Sequence, residues 1–304
     1  LLFNYNFDKN TKLEITASGI IGQRNSVQFI ANANVADTIN KSLNTYNPRQ
    51  VDRDYYYGFT TEARILHSYK LGDLNSTFTA GVRYFEEHTQ RRQKGVGTTG
   101  SDFGLTLVKP YGIDLRLHTT NYAAFAENIF QVTPKFSITP GFRFEDIQTS
   151  MRGAIINQTF PVSYDQTRNF PLFGTGFQYQ LTLSSQLYAN ASQAYRPYIY
   201  ANVTPADQLG VINPNLKDSK GYDADLGYRG NIKNIFNYDL SAFYVYYGNR
   251  VGTLTELNSS NINYLYTTNI GNAVAKGVEV YTEISLLRSF NQNASGDIRF
   301  FNSL

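Results

Sequence analysis

The chain has 304 residues, enough for one large all-β unit or two ordinary domains, and no cysteine, which excludes a disulfide framework, a thiol nucleophile and a cysteine-built zinc site. A formal net charge of +3 is too small to point to a nucleic-acid partner, and no run of about 18 apolar residues is present to make a transmembrane helix. Charged residues are 17% against an ordinary quarter while aromatics reach 15%, a balance that suits rings lying where an apolar layer meets water.

Segments that alternate apolar and polar side chains are predicted at about 1–7, 12–24, 54–69, 74–91, 115–131, 135–151, 168–181, 185–200, 220–232, 236–252, 273–288 and 296–304. Successive side chains of a strand point to opposite faces, so each segment carries one apolar and one polar face. Leu13, Ile15, Ala17 and Ile21 oppose Lys12, Glu14, Thr16 and Ser18. Phe78, Ala80, Val82 and Tyr84 oppose Thr77, Thr79 and Arg83, and Phe136, Ile138, Pro140, Phe142 and Phe144 oppose Ser137, Thr139, Arg143 and Glu145. Tyr222, Leu226 and Tyr228 oppose Asp223, Asp225 and Arg229, while Val278, Val280 and Ile284 oppose Glu279 and Glu283. Two segments blur the rule: Tyr122 to Phe130 is apolar on both faces, and Phe243 and Val245 stand on the polar side.

Connections near 8–11, 71–73, 132–134, 182–184, 231–235 and 289–295 are short, those near 25–53, 92–114, 152–167, 201–219 and 253–272 are long, and the two kinds alternate. An up-and-down antiparallel sheet puts alternate connections at opposite ends, so one end is trim and the other elaborate. Short turns opposite long loops, on strands apolar outside and polar inside, are the pattern of an outer-membrane barrel. The expected fold class is therefore all-β, an antiparallel up-and-down transmembrane β-barrel. Alternation persists for about 14–17 residues where a bilayer needs about 9–11, so the strands should rise beyond it. Leu1 to Phe7 and Asp297 to Phe301 both read as strand, so residues 1–304 are expected to be one section of a longer barrel. Asn32 to Leu43 is expected to wind into a short helix.

Some sequence signals are set aside on physical grounds. Gly95-Val96-Gly97-Thr98-Thr99-Gly100 matches GxGxxG, but no strand–helix unit follows to cradle a phosphate. His67, His88 and His118 are far apart with no ligand spacing, so no metal site of protein side chains is expected. Glu86-Glu87 and the pair Asp223 and Asp225 read as lumen charge rather than as an acid/base couple.

The arginines carry more. Arg24, Arg91, Arg168 and Arg196 lie toward the long-loop ends, where alternation turns each inward, and Arg92, Lys94 and Arg152 join them at the loop bases. Tyr195, Tyr198 and Tyr200 stand beside Arg196. Guanidinium groups lining a vestibule would concentrate anions and offer paired donors to carboxylates. Salt bridges to Glu86, Glu87 or Asp207 are the alternative reading.

The run Gln186-Leu187-Tyr188-Ala189-Asn190-Ala191-Ser192-Gln193-Ala194-Tyr195-Arg196-Pro197 resembles a strand of TonB-dependent outer-membrane receptors. Asn213-Pro214-Asn215-Leu216-Lys217-Asp218-Ser219-Lys220-Gly221-Tyr222 is similar to their "NPNLKPE…GYE" passage. Lys276-Gly277-Val278-Glu279-Val280 and Tyr122-Ala123-Ala124-Phe125-Ala126-Glu127-Asn128 resemble two further strand phrases, in the family's order. The wording from Arg196 to Gly230 looks closest to ferric dicitrate receptors. The resemblance implies a 22-stranded barrel, of which about 12 strands lie here, around an N-terminal plug. It implies uptake of a ferric chelate driven by the TonB-ExbB-ExbD complex through that plug, in the bacterial outer membrane, with lipid around the barrel. Iron would be chelated cargo and not a cofactor, and no enzyme activity is implied. A receptor for cobalamin or oligosaccharide, or a passive porin, is the alternative. Neither plug nor coupling box is among these residues, nor is a closing strand with a terminal aromatic.

Overall fold

The computed structural model describes residues 1–156, 161–204, 210–291 and 295–304. Twelve strands follow one another in chain order across a single sheet: β1 (Leu2–Asn6), β2 (Thr11–Gln28), β3 (Gln50–Leu71), β4 (Leu74–Gly97), β5 (Ile113–Thr133), β6 (Phe136–Ile155), β7 (Val162–Thr182), β8 (Ser185–Arg196), β9 (Ser219–Ile232), β10 (Phe236–Gly248), β11 (Ala273–Ser285) and β12 (Arg299–Ser303). Every neighbouring pair is antiparallel. A two-residue strand, Leu107–Val108, folds back onto β4. β1 and β12 are the edges of the sheet, and among the described residues they are not paired with each other.

The alternation in the sequence becomes two distinct surfaces. On the apolar face Phe142 meets Phe173 at 5.4 Å between ring centroids, and Tyr222 stacks on Tyr246 at 5.3 Å. On the polar face Arg64 donates to Glu14 at 2.7 Å, and Ser192 donates to Asp223 at 2.8 Å. β4 runs 24 residues, about 80 Å at roughly 3.3 Å each, so much of it extends past any bilayer-width band.

The blurred segments have a packing reason. Phe125 is the register partner of Gly81 and Phe243 that of Gly277. Each ring reaches over its glycine: a Cβ there would come within 2.6 Å of Phe125 and 2.9 Å of Phe243. The bare glycine makes room for an aromatic that covers exposed backbone on the polar face. Nothing comparable accounts for Val245.

Most of the buried apolar side chains among the described residues gather in one place, with Val51 and Ala123 buried apart from it. Ile113, Leu115 and Leu117 of β5 and Met151 of β6 form a cluster against which Tyr164, Tyr200 and Val203 pack. The segment after β8 therefore folds over the polar face near the long-loop end and supplies a second layer there. Elsewhere the wall is one sheet thick, which is why large hydrophobics such as Ile21, Leu226 and Val278 remain exposed.

Some expectations change. Asn32 to Leu43 is not helical: Ile39–Asn40 pairs with Thr45–Tyr46 as a small ribbon. β6 and β7 extend so far that the connection expected at 152–167 shrinks to 156–161, part of which lies outside the described residues. β8 ends at Arg196, and a single 3-10 turn, Tyr200–Asn202, follows. A short helix, Leu286–Phe290, occupies the start of the last trim-end connection; residues 292–294 of that turn lie outside the described residues.

Candidate functional site

Arg24, Asp54 and Arg91 share one register row on the polar face. Asp54 is fully buried and accepts from the Gln93 amide at 2.8 and 3.0 Å and from the Tyr56 hydroxyl at 3.3 Å. The Nε atoms of Arg24 and Arg91 each stand 3.8 Å from that carboxylate. Two guanidinium groups thus flank that one carboxylate, and the buried Asp52 carboxylate stands two residues away on the same face. The Arg24 side chain is 58% exposed, so its guanidinium faces solvent.

Arg168 behaves differently. Its side chain is 3% exposed, donating to Asp218 at 2.7 Å and to the Thr149 hydroxyl at 3.1 Å while lying over the Tyr198 ring at 4.7 Å. Asp218 also accepts from the Tyr198 backbone N–H at 3.0 Å and from the Tyr195 hydroxyl. The backbone ladder between β7 and β8 stops at Gly174 and Ser192. Beyond that point side chains hold the two strands, with the Phe170 and Tyr195 rings 3.7 Å apart. Tyr195 and Arg168 thus form the fastening of a seam.

Arg196 is exposed, with Nη1 3.4 Å from the Tyr247 hydroxyl. Arg92 and Arg152 are corrections to the expected funnel, because both lie on the opposite face. Arg92 is one residue from Arg91, and a single step along a strand reverses the side chain. Arg92 stacks over Tyr111 at 5.6 Å, and Arg152 pairs with Asp165 at 2.5 Å. The remaining cations do not close into one ring. The row of Arg91 continues through Leu115 and Gly153 to Val162. Arg168 is six residues farther along β7, roughly 20 Å down the strand. Of the acidic neighbours expected to neutralise them, Asp207 lies outside the described residues.

A cavity of about 310 Å³ sits on the polar face under the segment after β8. Glu87, Thr119, Thr149, Arg168, Tyr198 and Tyr200 contribute to its lining, and the Tyr200 hydroxyl donates to the His118 carbonyl at 2.6 Å. Above it the long loops are tied together. Gly210–Ile212 runs parallel to Asn263–Asn269, which pairs on its other side with Val251–Leu257. A buried Arg49 joins two other loops through Asp37 at 2.6 Å and Asp102 at 2.9 Å. The Arg49 hydrogen bonds hold the Asp37 carboxyl below its ordinary value.

Sequence reasoning missed Asp54, which no spacing marks as the hub of two arginines. It also treated His88 and His118 as isolated. They are register partners across β4 and β5, with stacked rings 4.1 Å apart, and both approach Glu86. A sequence pattern could have found them only by aligning β4 against β5.

The family model described as "TonB dependent receptor-like, beta-barrel" matches residues 1–302. The chain belongs to the TonB-dependent receptor β-barrel family. Its fold is similar to the ferric citrate transporter FecA in the unliganded form (TM-score 0.72, 18% identity, covering 99% of this chain and 41% of that one). It is also similar to the ferric-catecholate import receptor Fiu from K12 E. coli (0.67, 16%, 94% and 44%) and the siderophore receptor PiuA from Acinetobacter baumannii (0.68, 14%, 99% and 45%). At these identities the likeness concerns the fold, and the chain spans less than half of each neighbour's length. The family consists of outer-membrane transporters and receptors, not enzymes. In such barrels the apolar face is outward and the polar face lines the interior, which makes Arg24, Asp54, Arg91 and Arg196 interior groups and puts Arg92 and Arg152 outside.

Proposed function

We propose that this chain is part of the wall of an outer-membrane receptor that imports a ferric chelate, ferric citrate or another anionic ferric siderophore, with lipid against its apolar face. The single observation that carries this reading is the pair of guanidinium groups, Arg24 and Arg91, brought together at Asp54 on the interior face near the long-loop end. Arg196 adds an exposed guanidinium on the same face. A chelate bearing carboxylates would be drawn by that field and met by planar paired donors. Likeness to ferric citrate and siderophore receptors supports a ferric cargo. Uptake would be energised through TonB and a plug, and binding must favour the plug state that the energising partner recognises.

The test is binding of ferric citrate and of anionic and neutral siderophores to the complete receptor, beside a variant with Arg24, Arg91 and Arg196 changed to Ala. Weakened binding of anionic chelates alone supports the reading. Equal affinity of both proteins for every chelate, or growth rescue by cobalamin instead of iron sources, overturns it.

A further inference from the structure

Glu86 and His88 alternate on β4 and His118 stands opposite His88 on β5, so the three side chains share one face of the wall. That face is the outward one, because Tyr84, two residues before Glu86, meets Tyr122 there at 5.1 Å between ring centroids. The cluster lies one step beyond that tyrosine pair, where the apolar band gives way to Asp146 and Gln148 on β6. It is on the opposite side of the wall from Arg24, Asp54 and Arg91, so it does not depend on the chelate reading.

The Nε2 atoms of His88 and His118 are each 3.0 Å from the same oxygen, Glu86 Oε1. All three donor atoms lie within 4.8 Å of one another. Ligands about 2.0–2.2 Å from a tetrahedral ion sit a little over 3 Å apart, so the two nitrogen–oxygen spacings are close to those of a coordination shell. The Tyr84 hydroxyl donates to the other oxygen, Glu86 Oε2, at 2.7 Å and fixes the carboxylate as an outer partner would. The side chains are 34% exposed for Glu86, 56% for His88 and 41% for His118, which leaves an approach for an ion and its waters.

We propose that Glu86, His88 and His118 form a binding site for a divalent transition metal of the zinc and copper class on the outward face of the barrel. Two imidazole nitrogens and one carboxylate oxygen suit these borderline ions, whereas calcium and magnesium prefer all-oxygen shells. On binding, each neutral imidazole carries its proton on Nδ1, which frees the Nε2 lone pair, and the stacked rings tilt open toward the ion. The metal and one carboxylate leave a net single positive charge, and water completes the shell.

The test uses the complete receptor, titrated with Zn2+ by calorimetry and with Cu2+ by electron paramagnetic resonance. Variants are His118→Ala, His88→Ala and Glu86→Gln, with heat-modifiable gel mobility as the folding check. Changing a mere outer partner costs a metal site about 10–100-fold, so removing a ligand should weaken Zn2+ by at least about tenfold. The Cu2+ spectrum should show coupling to two imidazole nitrogens, and to one after either histidine is replaced. Folded variants that keep the wild-type stoichiometry, affinity and nitrogen coupling overturn the proposal. So does a wild-type receptor that takes up no Zn2+ or Cu2+ removable by these substitutions.

Discussion

Arg168 on β7 donates to Asp218, 50 positions later in the chain, across 2.7 Å, and the bond closes the wall where the ladder to β8 has ended. Sequence reasoning places Arg168 in an anion funnel; with its side chain 3% exposed and its Nε and Nη1 donating to Asp218 and Thr149, it is a fastener.

Arg168→Ala strands a nearly buried carboxylate, and breaking such a pair costs about 3 kcal/mol. The variant should unfold at lower denaturant concentration, and a double-mutant cycle with Asp218→Ala should show coupling. Unchanged stability combined with lost chelate binding would return Arg168 to the funnel.

Asp54→Asn should act in the opposite sense to arginine removal. The amide keeps an acceptor for Gln93 but deletes the charge that offsets Arg24 and Arg91. Association of an anionic chelate should speed up roughly two- to fivefold at low salt and return toward the wild-type rate as salt rises. Stopped-flow with a fluorescent ferric chelate reads this, and Arg24→Ala should slow association by a similar factor.

Tyr266→Pro should loosen two loops at once. Tyr266 lies in the central strand of the small sheet, between Val211 on one side and Leu254 on the other. Proline there removes a ladder donor from a strand paired on both edges. Limited proteolysis should cut both within 197–218 and within 249–272, whereas Thr253→Pro on the edge strand should leave the first loop protected.

The Asp37–Arg49 clamp gives a pH dependence whose sign is set by Arg49. The hydrogen bonds from Arg49 lower the Asp37 pKa in the folded loop from an ordinary value of 3.8. Its contribution is complete above that value and is lost as pH falls through the lowered one. Hydrogen exchange at the Arg49 N–H, which donates to Thr99 at 3.2 Å, should stay protected down to about pH 4 and rise below it. Asp37→Asn should show the unprotected behaviour throughout.

Much of the fold is legible because a strand has period two and the turns have chemistry. Phe136 through Phe144 announce their shared face without any knowledge of neighbours, and the alternation of short and long connections orders the strands. The same rule misleads at one-residue resolution. Arg91 and Arg92 look equivalent in a basic loop base, yet the wall separates them. Phe125 and Phe243 look misplaced until Gly81 and Gly277 are found beneath them.

By itself the sequence determined an antiparallel wall of twelve alternating strands with one apolar and one polar face, since those properties follow from local backbone geometry and the order of side chains. Only the tertiary structure decided which distant groups meet: Asp54 with Arg24 and Arg91, Arg168 with Asp218, and His88 with His118. Those contacts depend on the register between strands and on a loop folding across them. Register is a relation between two segments, and no single segment contains it.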